Sequence, residues 1–276
     1  MDRTLTNLTP DLSGTDPALR DRILAGHSAV LSQIEYFREN FGQTESSWKK
    51  DGTRVTVVDE TISGELFLPL SNAFPEDDYF SEESIETPDP VPLKAEFCWL
   101  LDPVDGTNNY AVGITECGIS LALLRNGTPI YGFIYDYSRD KLLQGGPGLG
   151  AIEGTTPVQA ATELVNEKLT FCMHFPIPTA DLDMLRPKLK EWRIRCPGSA
   201  AIGLANVATG NLAGFFPRTI HSPPACSILP CFPAPYFAME WVICSRSRTQ
   251  EAWIVTAGSH TTSCRVPGQG YPRRNS

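Results

Sequence analysis

The sequence predicts an α/β layered sandwich over residues 17–216, with acidic groups gathered at strand ends. Three observations carry this. Phe97 to Leu101 is a buried-strand run closed by Asp102-Pro103-Val104-Asp105-Gly106-Thr107, a strand–turn–helix context. Asn126-Gly127 stands between two apolar runs, a strong hairpin signal. Leu19, Ile23, Leu24, His27, Val30, Leu31 and Ile34 recur at helical spacing.

Residues 1–16 are polar and are expected to be flexible. Asp16-Pro17 has the form of an N-cap followed by proline in the first helical turn, which opens the helix carrying that stripe. His27 on the stripe reads as a packed or partly exposed histidine rather than a ligand. Trp48 to Thr56 is extended and turn-rich. Asp59 begins or caps a second helix, with Ile62, Leu66, Leu68 and Leu70 downstream. Tyr79 to Ser84 is a strand end or loop that presents Glu82, and residues 86–94, with three prolines, form a surface loop. Beyond the acidic turn, Gly118 to Leu124 and Ile130 to Tyr135 are strands joined at Arg125-Asn126-Gly127. Leu142-Leu143 and Ala151-Ile152 extend the sheet across Gly145-Gly146-Pro147-Gly148. That cluster reads as a turn, because it lacks the Gly-Lys-Ser/Thr ending of a phosphate loop. Leu169 to His174 is a further strand. Leu182 to Trp192 leans helical, with Pro187 kinking it or starting it late. Ser199 to Thr209 is an apolar helix of small residues, stopped by Gly210.

Composition narrows the classes of function. Of 276 residues, 41% are apolar and 20% charged, ordinary for a soluble globular chain. A net charge of −9 argues against a general nucleic-acid surface. No apolar run approaches the roughly 20 residues needed to span a bilayer. Met1 to Thr6 has no apolar core of a secretory signal, so the expected location is the cytoplasm. There the eight cysteines are expected to stay reduced. Cys98 and Cys117, in or beside apolar runs, read as small core residues.

The acidic turn carries the chemistry. Pro103 fixes the backbone beyond the strand and Gly106 frees it, so Asp102 and Asp105 are held at the carboxyl end of a strand. Open α/β sheets bind ligands at that edge. Two hard carboxylates on a bent backbone suit Mg²⁺, which prefers oxygen ligands and keeps waters for a phosphate. Asp-Pro and Asp-Gly are also common turn pairs. A turn alone, however, needs neither Asp59-Glu60 nor Glu82-Glu83 upstream.

Asp102-Pro-Val-Asp-Gly-Thr-Asn-Asn-Tyr110 resembles the signature of the inositol monophosphatase family of Mg²⁺-dependent phosphatases. Ser81-Glu82-Glu83-Ser84 is similar to the family's preceding acidic motif. Lys50-Asp51-Gly52-Thr53 with Val55-Thr56 and Asp59 is similar to its upstream motif. Gly198-Ser199-Ala200-Ala201, running on to Val207-Ala208-Thr209-Gly210, is similar to its downstream one. The four segments occur in family order over roughly residues 20–216. The resemblance implies a layered αβαβα sandwich and hydrolysis of a small polyol phosphate by two-metal activation of water; inositol monophosphate stands first among substrates, and the residues do not choose among it, histidinol phosphate, fructose bisphosphate and nucleotide 3′-phosphate. It implies Mg²⁺ held by Glu82, Asp102, Asp105 and the Val104 carbonyl, and Asp59 and Thr107 orienting and deprotonating the nucleophilic water. Backbone N–H groups of Gly106 and Thr107 at a helix start would donate to phosphate oxygens. Gly198, Ser199 and Ala200 would line the alcohol side. The partner is a small phosphorylated molecule, with neither nucleic acid nor membrane, and a homodimer is the assembly to test. Each residue also has a plainer reading: Asp59 and Ser199 as helix caps, Glu82 and Glu83 as solvated loop acids. Their joint occurrence favours function.

The resemblance stops near Pro217. Residues 217–276 hold no Asp and no Lys but six Arg, two Glu, eight Pro, seven Ser and four of the eight Cys. Their formal charge is +4, which leaves −13 for residues 1–216 of a chain whose total is −9. Prolines break both strand and helix patterns from Ser222 to Tyr236, although Phe237 to Cys244 and Ala252 to Ala257 fit short strands. The family continues with a Trp-Asp pair whose Asp is a metal ligand, and Pro224 stands at that place. The simplest reading is a tail foreign to the family, from a shifted reading frame, an altered gene end or a sequencing error. The alternatives are a real, divergent tail and a catalytically defective or non-enzymatic relative. Cys226, Cys231, Cys244 and Cys264 have no zinc spacing.

Overall fold

The apolar runs pair into one seven-stranded mixed sheet, ordered β3-β4-β5-β6-β7-β8-β9. Its strands are β3 (Asp78–Ser81), β4 (Phe97–Asp105), β5 (Gly118–Arg125), β6 (Thr128–Asp136), β7 (Lys141–Gly146), β8 (Gly150–Glu153) and β9 (Thr156–Pro157). The computed structural model describes residues 9–48, 54–84, 93–158, 170–173, 183, 186 and 193–212, and the backbone of 214–216, 241–245 and 252–256. Residues 86–92 of the loop expected at 86–94, most of the expected helix at Leu182–Trp192, the segment Lys50–Thr53 and the proline-rich stretch from Ser222 lie outside the described residues.

β3 and β4 run parallel, and every later neighbour in the sheet is antiparallel. The β5–β6 connection is the predicted two-residue turn. Asn126 and Gly127 both adopt positive φ, 51° and 74°, as a turn matched to strand twist requires.

Helix α1 (Pro17–Glu39) starts where Asp16 accepts the Ala18 N–H, with proline in the first turn. Leu12, just upstream, packs against the core. The buried face of α1 is Ile23, Gly26, Ala29, Val30, Gln33, Ile34 and Phe37. Leu24, expected on that stripe, is 42% exposed, because the helix meets the sheet through Gly26 instead. A short antiparallel pair, β1 (Ser46–Trp48) and β2 (Arg54–Thr56), leads into α2 (Val57–Ala73).

α1 and α2 cover one sheet face, packing on Trp99, Leu101, Val104, Ile119, Leu121, Leu123, Tyr131, Phe133 and Tyr135. Short α3 (Thr107–Val112) follows β4 directly. Helix α4 (Ala200–Ala208) covers the other face, placing Ala201, Ile202, Leu204, Ala205 and Ala208 on Cys98, Leu100, Ala122, Leu124, Ile134 and Leu143. Each large apolar side chain so buried contributes roughly 1.5–3 kcal/mol.

A second, parallel sheet, β11-β10-β12, comprises β10 (Thr170–Met173), β11 (Arg193–Arg195) and β12 (Gly214–Phe216), with β12 against α4. The described layers therefore run α–β–α–β, the order expected except for the last helical layer, which lies outside the described residues. In the tail, the backbones of β13 (Trp241–Ser245) and β14 (Ala252–Thr256) pair antiparallel, close to the two stretches that fit short strands. Cys98 and Cys117 are buried, as their apolar flanks suggested.

Two helical glycines separate packing from propensity. A Cβ on Gly26 would lie 2.8 Å from the Trp99 ring and 2.9 Å from the Phe133 ring, whereas one on Gly64 meets nothing within 4 Å. Alanine gains up to about 1 kcal/mol of helix propensity at either site. Overpacking at Gly26 costs about 1–3 kcal/mol and outweighs the gain. Urea unfolding should therefore show Gly64→Ala stabilised and Gly26→Ala destabilised. A stabilised Gly26→Ala would contradict this packing.

Candidate active site

A bulge in β4 puts two aspartates on one face. Asp102 pairs with Ser120 and Asp105 with Gly118, so three steps on β4 match two on β5. In a regular strand, residues three apart point to opposite faces. The extra residue cancels that alternation, and both carboxylates join Cys98 and Leu100 on the α4 side. The strand expected at Phe97–Leu101 thus runs on to Asp105, and the acidic turn is its bulged end. Gly118 must be glycine, since a Cβ there would lie 2.0 Å from the Tyr135 carbonyl oxygen.

Glu82 arrives by register. Ser81 pairs with Leu101 across parallel β3 and β4, so Glu82, the first residue beyond β3, comes beside Asp102, which is still within β4. Glu82 to Ser84 form a 3₁₀ turn. Asp59 arrives from α2. It does not begin or N-cap that helix, as its sequence context suggested. Thr56 is the N-cap, and Asp59 is the third helical residue of a capping box. Asp59 Oδ2 accepts from the Thr56 N–H at 2.8 Å and from its hydroxyl at 2.6 Å. Its other oxygen, Oδ1, is buried with no hydrogen-bond partner.

Electrostatics ties these groups together. Burial pushes the Asp59 carboxyl up to about 7 against the pull of the Thr56 hydrogen bonds, with Glu83 and Glu82 adding repulsion. Burial likewise raises Asp102 well above the usual carboxylate range, and repulsion from Glu82, Asp105, Asp59 and Glu83 raises it further. Burial raises Asp105 too, despite donors from α4. The Ser199 hydroxyl donates to Asp105 Oδ2, as does the Ala201 N–H at 3.0 Å, and the Ala200 N–H reaches Oδ1 at 3.3 Å. Asp105 therefore sits on the positive end of α4, while Ser199 also caps that helix by accepting from the Ile202 N–H.

Other predicted residues have definite places. Gly106, φ +84°, is the N-cap residue of α3, and a Cβ on it would strike the Glu116 carbonyl at 2.8 Å. The Thr107 hydroxyl donates to the Val104 carbonyl at 2.9 Å. Gly198, φ +78°, precedes the Ser199 cap. As they stand, no three His, Cys, Asp or Glu side chains among the described residues form a cage close enough for a cation. Asp105 has turned to α4, and Asp102 Oδ1 accepts the Val104 N–H of its own loop at 3.1 Å. The residues nevertheless fit Mg²⁺: Glu82, Asp102 and Asp105 offer hard carboxylate oxygens, and beside them Asp59 Oδ1 is buried without a partner. Sequence reasoning places Thr56 and Glu83 within its motifs but assigns neither a role in the site. The Thr-x-x-Asp spacing of a capping box is the available signal for Thr56.

A family model for inositol monophosphatases matches residues 23–222. The chain belongs to the inositol monophosphatase family. The inositol-1-monophosphatase of Synechocystis is 29% identical over 176 residues, 62% of this chain and 60% of that one. Inositol monophosphatase 1 of Solanum lycopersicum is 29% identical over 190 residues, 66% of this chain and 70% of that one. This chain thus spans less than two thirds of the Synechocystis relative. Among solved structures, the extragenic suppressor protein suhB of Bartonella henselae matches with TM-score 0.65 and 25% identity, over 80% of this chain and 84% of that one. An IMPase/NADP phosphatase complexed with Mg²⁺ and phosphate matches with TM-score 0.59 and 23% identity, over 71% and 73%. The inositol monophosphatase fold is therefore this chain's fold.

The carboxylate cluster makes a prediction for this family member without metal. Folded Asp59 keeps its proton up to about pH 7, whereas the unfolded group releases it near 3.8. The native state then binds more protons than the unfolded one, so stability should fall as pH rises from about 4 to about 7. A divalent cation bound beside Asp59 would favour the charged form and flatten the decline. Urea unfolding with EDTA and with excess Mg²⁺ checks this. A metal-free stability that rises across the same window would contradict the cluster.

Proposed function

We propose that the chain is a Mg²⁺-dependent phosphomonoesterase acting on a small polyol phosphate, with inositol monophosphate as its substrate. The observation that carries this reading is the convergence of Asp59, Glu82, Glu83, Asp102 and Asp105 on the end of β4, with the buried Asp59 Oδ1 lacking a partner. Family membership supports it. So does the solved IMPase/NADP phosphatase of the same fold, which is complexed with Mg²⁺ and phosphate.

Glu82, Asp102, Asp105 and the Val104 carbonyl would hold Mg²⁺. When bound, the ion neutralises phosphoryl charge and makes a coordinated water more acidic. Asp59 Oδ1 accepts the proton of the attacking water, since Thr56 already occupies Oδ2. The Thr107 hydroxyl, anchored on the Val104 carbonyl, orients that water. The N–H groups of Gly106 and Thr107 receive phosphate oxygens at the start of α3. Gly198, Ser199 and Ala200 form the wall against the alcohol half. No helix among the described residues is long and apolar enough to cross a membrane.

Residues 217–276 are, in this reading, foreign to the family. The family match ends at residue 222, and no aspartate follows it. A two-metal site short of one anionic ligand holds its second metal weakly, so this chain should be a slow enzyme. Reading the coding DNA across the Arg218 codon tests the tail: a one- or two-base shift that opens a Trp-Asp frame supports the reading.

Phosphate release from inositol monophosphate over a wide Mg²⁺ range tests the function. Asp102→Asn should abolish the Mg²⁺-dependent part, because one of few anionic ligands is lost. Activity near that of the parent would show that the motif is not catalytic. A chimera with a family-type C-terminal half should be faster and need less Mg²⁺. Equal rates and equal Mg²⁺ dependence would mean that a tail group such as Glu240 or Glu251 replaces the aspartate.

A further inference from the structure

Asn109 lies in the first turn of α3, and the metal-binding and water-orienting roles do not use it. Its side-chain amide donates to two backbone carbonyls, Glu116 O at 2.8 Å and Pro197 O at 2.6 Å. Both acceptors are carbonyl oxygens, so the nitrogen must face them, and its two hydrogens are both used. The two carbonyls belong to distant segments. Glu116 precedes β5 and lies over Gly106, where its oxygen leaves no space for a Cβ. Pro197 precedes Gly198 and the Ser199 cap of α4.

Gly198 closes the contact from the other side. A Cβ there would lie 3.0 and 3.1 Å from the Asn109 amide atoms, so the loop packs flush on this side chain. Gly198 also holds φ +78°, which turns the chain into Ser199. Ser199 and the Ala201 N–H then reach Asp105. One amide thus joins the end of β4, the start of β5 and the start of α4.

We propose that Asn109 is a positioning residue that fixes the distance between the carboxylate loop of β4 and the N-terminus of α4. Through Ser199 it sets how firmly the α4 wall grips the alcohol half of the substrate. That second statement rests on the phosphomonoesterase reading, whereas the clamp itself does not.

Two variants test it. Asn109→Ala removes the donor. Asn109→Asp keeps the volume but sets a carboxylate against two carbonyl oxygens, and it is the isosteric choice should the alanine chain not fold. In both, the amides of Ala200 to Ile202 should exchange with solvent about tenfold faster than in the parent, with β6 unchanged as an internal reference. For Mg²⁺-dependent hydrolysis of inositol monophosphate, KM should rise about tenfold and kcat stay within about threefold. Asn109→Asp should be at least as damaging as Asn109→Ala. Unchanged exchange at Ala200 to Ile202, a parent-like Asn109→Asp, or a loss confined to kcat would overturn the proposal. The exchange measurement needs no turnover, so an inactive parent would refute the functional reading while the clamp is still tested.

Discussion

Burial of several carboxylates beside one another at the end of β4 is the constraint on which this structure turns. Burial raises Asp59, Asp102 and Asp105, and repulsion from Glu82 and Glu83 adds to the rise of Asp59 and Asp102. The rise of Asp59 from 3.8 to about 7 corresponds to about 4 kcal/mol of preference for its proton. A fold built only for stability would disperse such groups. This one divides them among α2, the 3₁₀ turn after β3 and the bulged end of β4, so that no single strand or helix carries them all.

The restraints are specific. The β4 bulge turns Asp102 and Asp105 to one face, and parallel pairing with β3 brings Glu82 alongside. The Thr56 capping box anchors Asp59, while the amides of α4 partly offset the charge of Asp105. Behind them lie two apolar layers, α1 and α2 against one sheet face and α4 against the other. Arg139, bonded to Asp136, Glu153 and Asn206, fastens the far end of α4 to the sheet. That packing supplies the free energy against which the acidic groups are held.

Much of the scaffold can be read from residue patterns. The Asn126-Gly127 hairpin, the Asp16-Pro17 helix start and the Ser199–Gly210 helix follow from local rules of turns and caps, and the structure has them in place. The acidic residues are visible as pairs, and motif order predicts their gathering at strand ends, but the bulge and the parallel register that bring them together are not legible, because they join segments far apart in the chain. Asp59 looks like a helix start for a related reason: a carboxylate that accepts from residue 56 resembles a cap until the backbone is known. Asn109 leaves no signal, since its partners are main-chain carbonyls seven and 88 residues away.

If this cluster exists to bind a divalent cation, the ion should be visible in place. Anomalous diffraction from a crystal soaked in Mn²⁺, a scattering substitute for Mg²⁺ with the same taste for oxygen ligands, tests this most directly. The expected result is a peak bounded by Glu82, Asp102, Asp105 and the Val104 carbonyl, with Asp105 partly withdrawn from α4. A crystal that diffracts well but shows no peak there, or shows the ion only elsewhere, would contradict it.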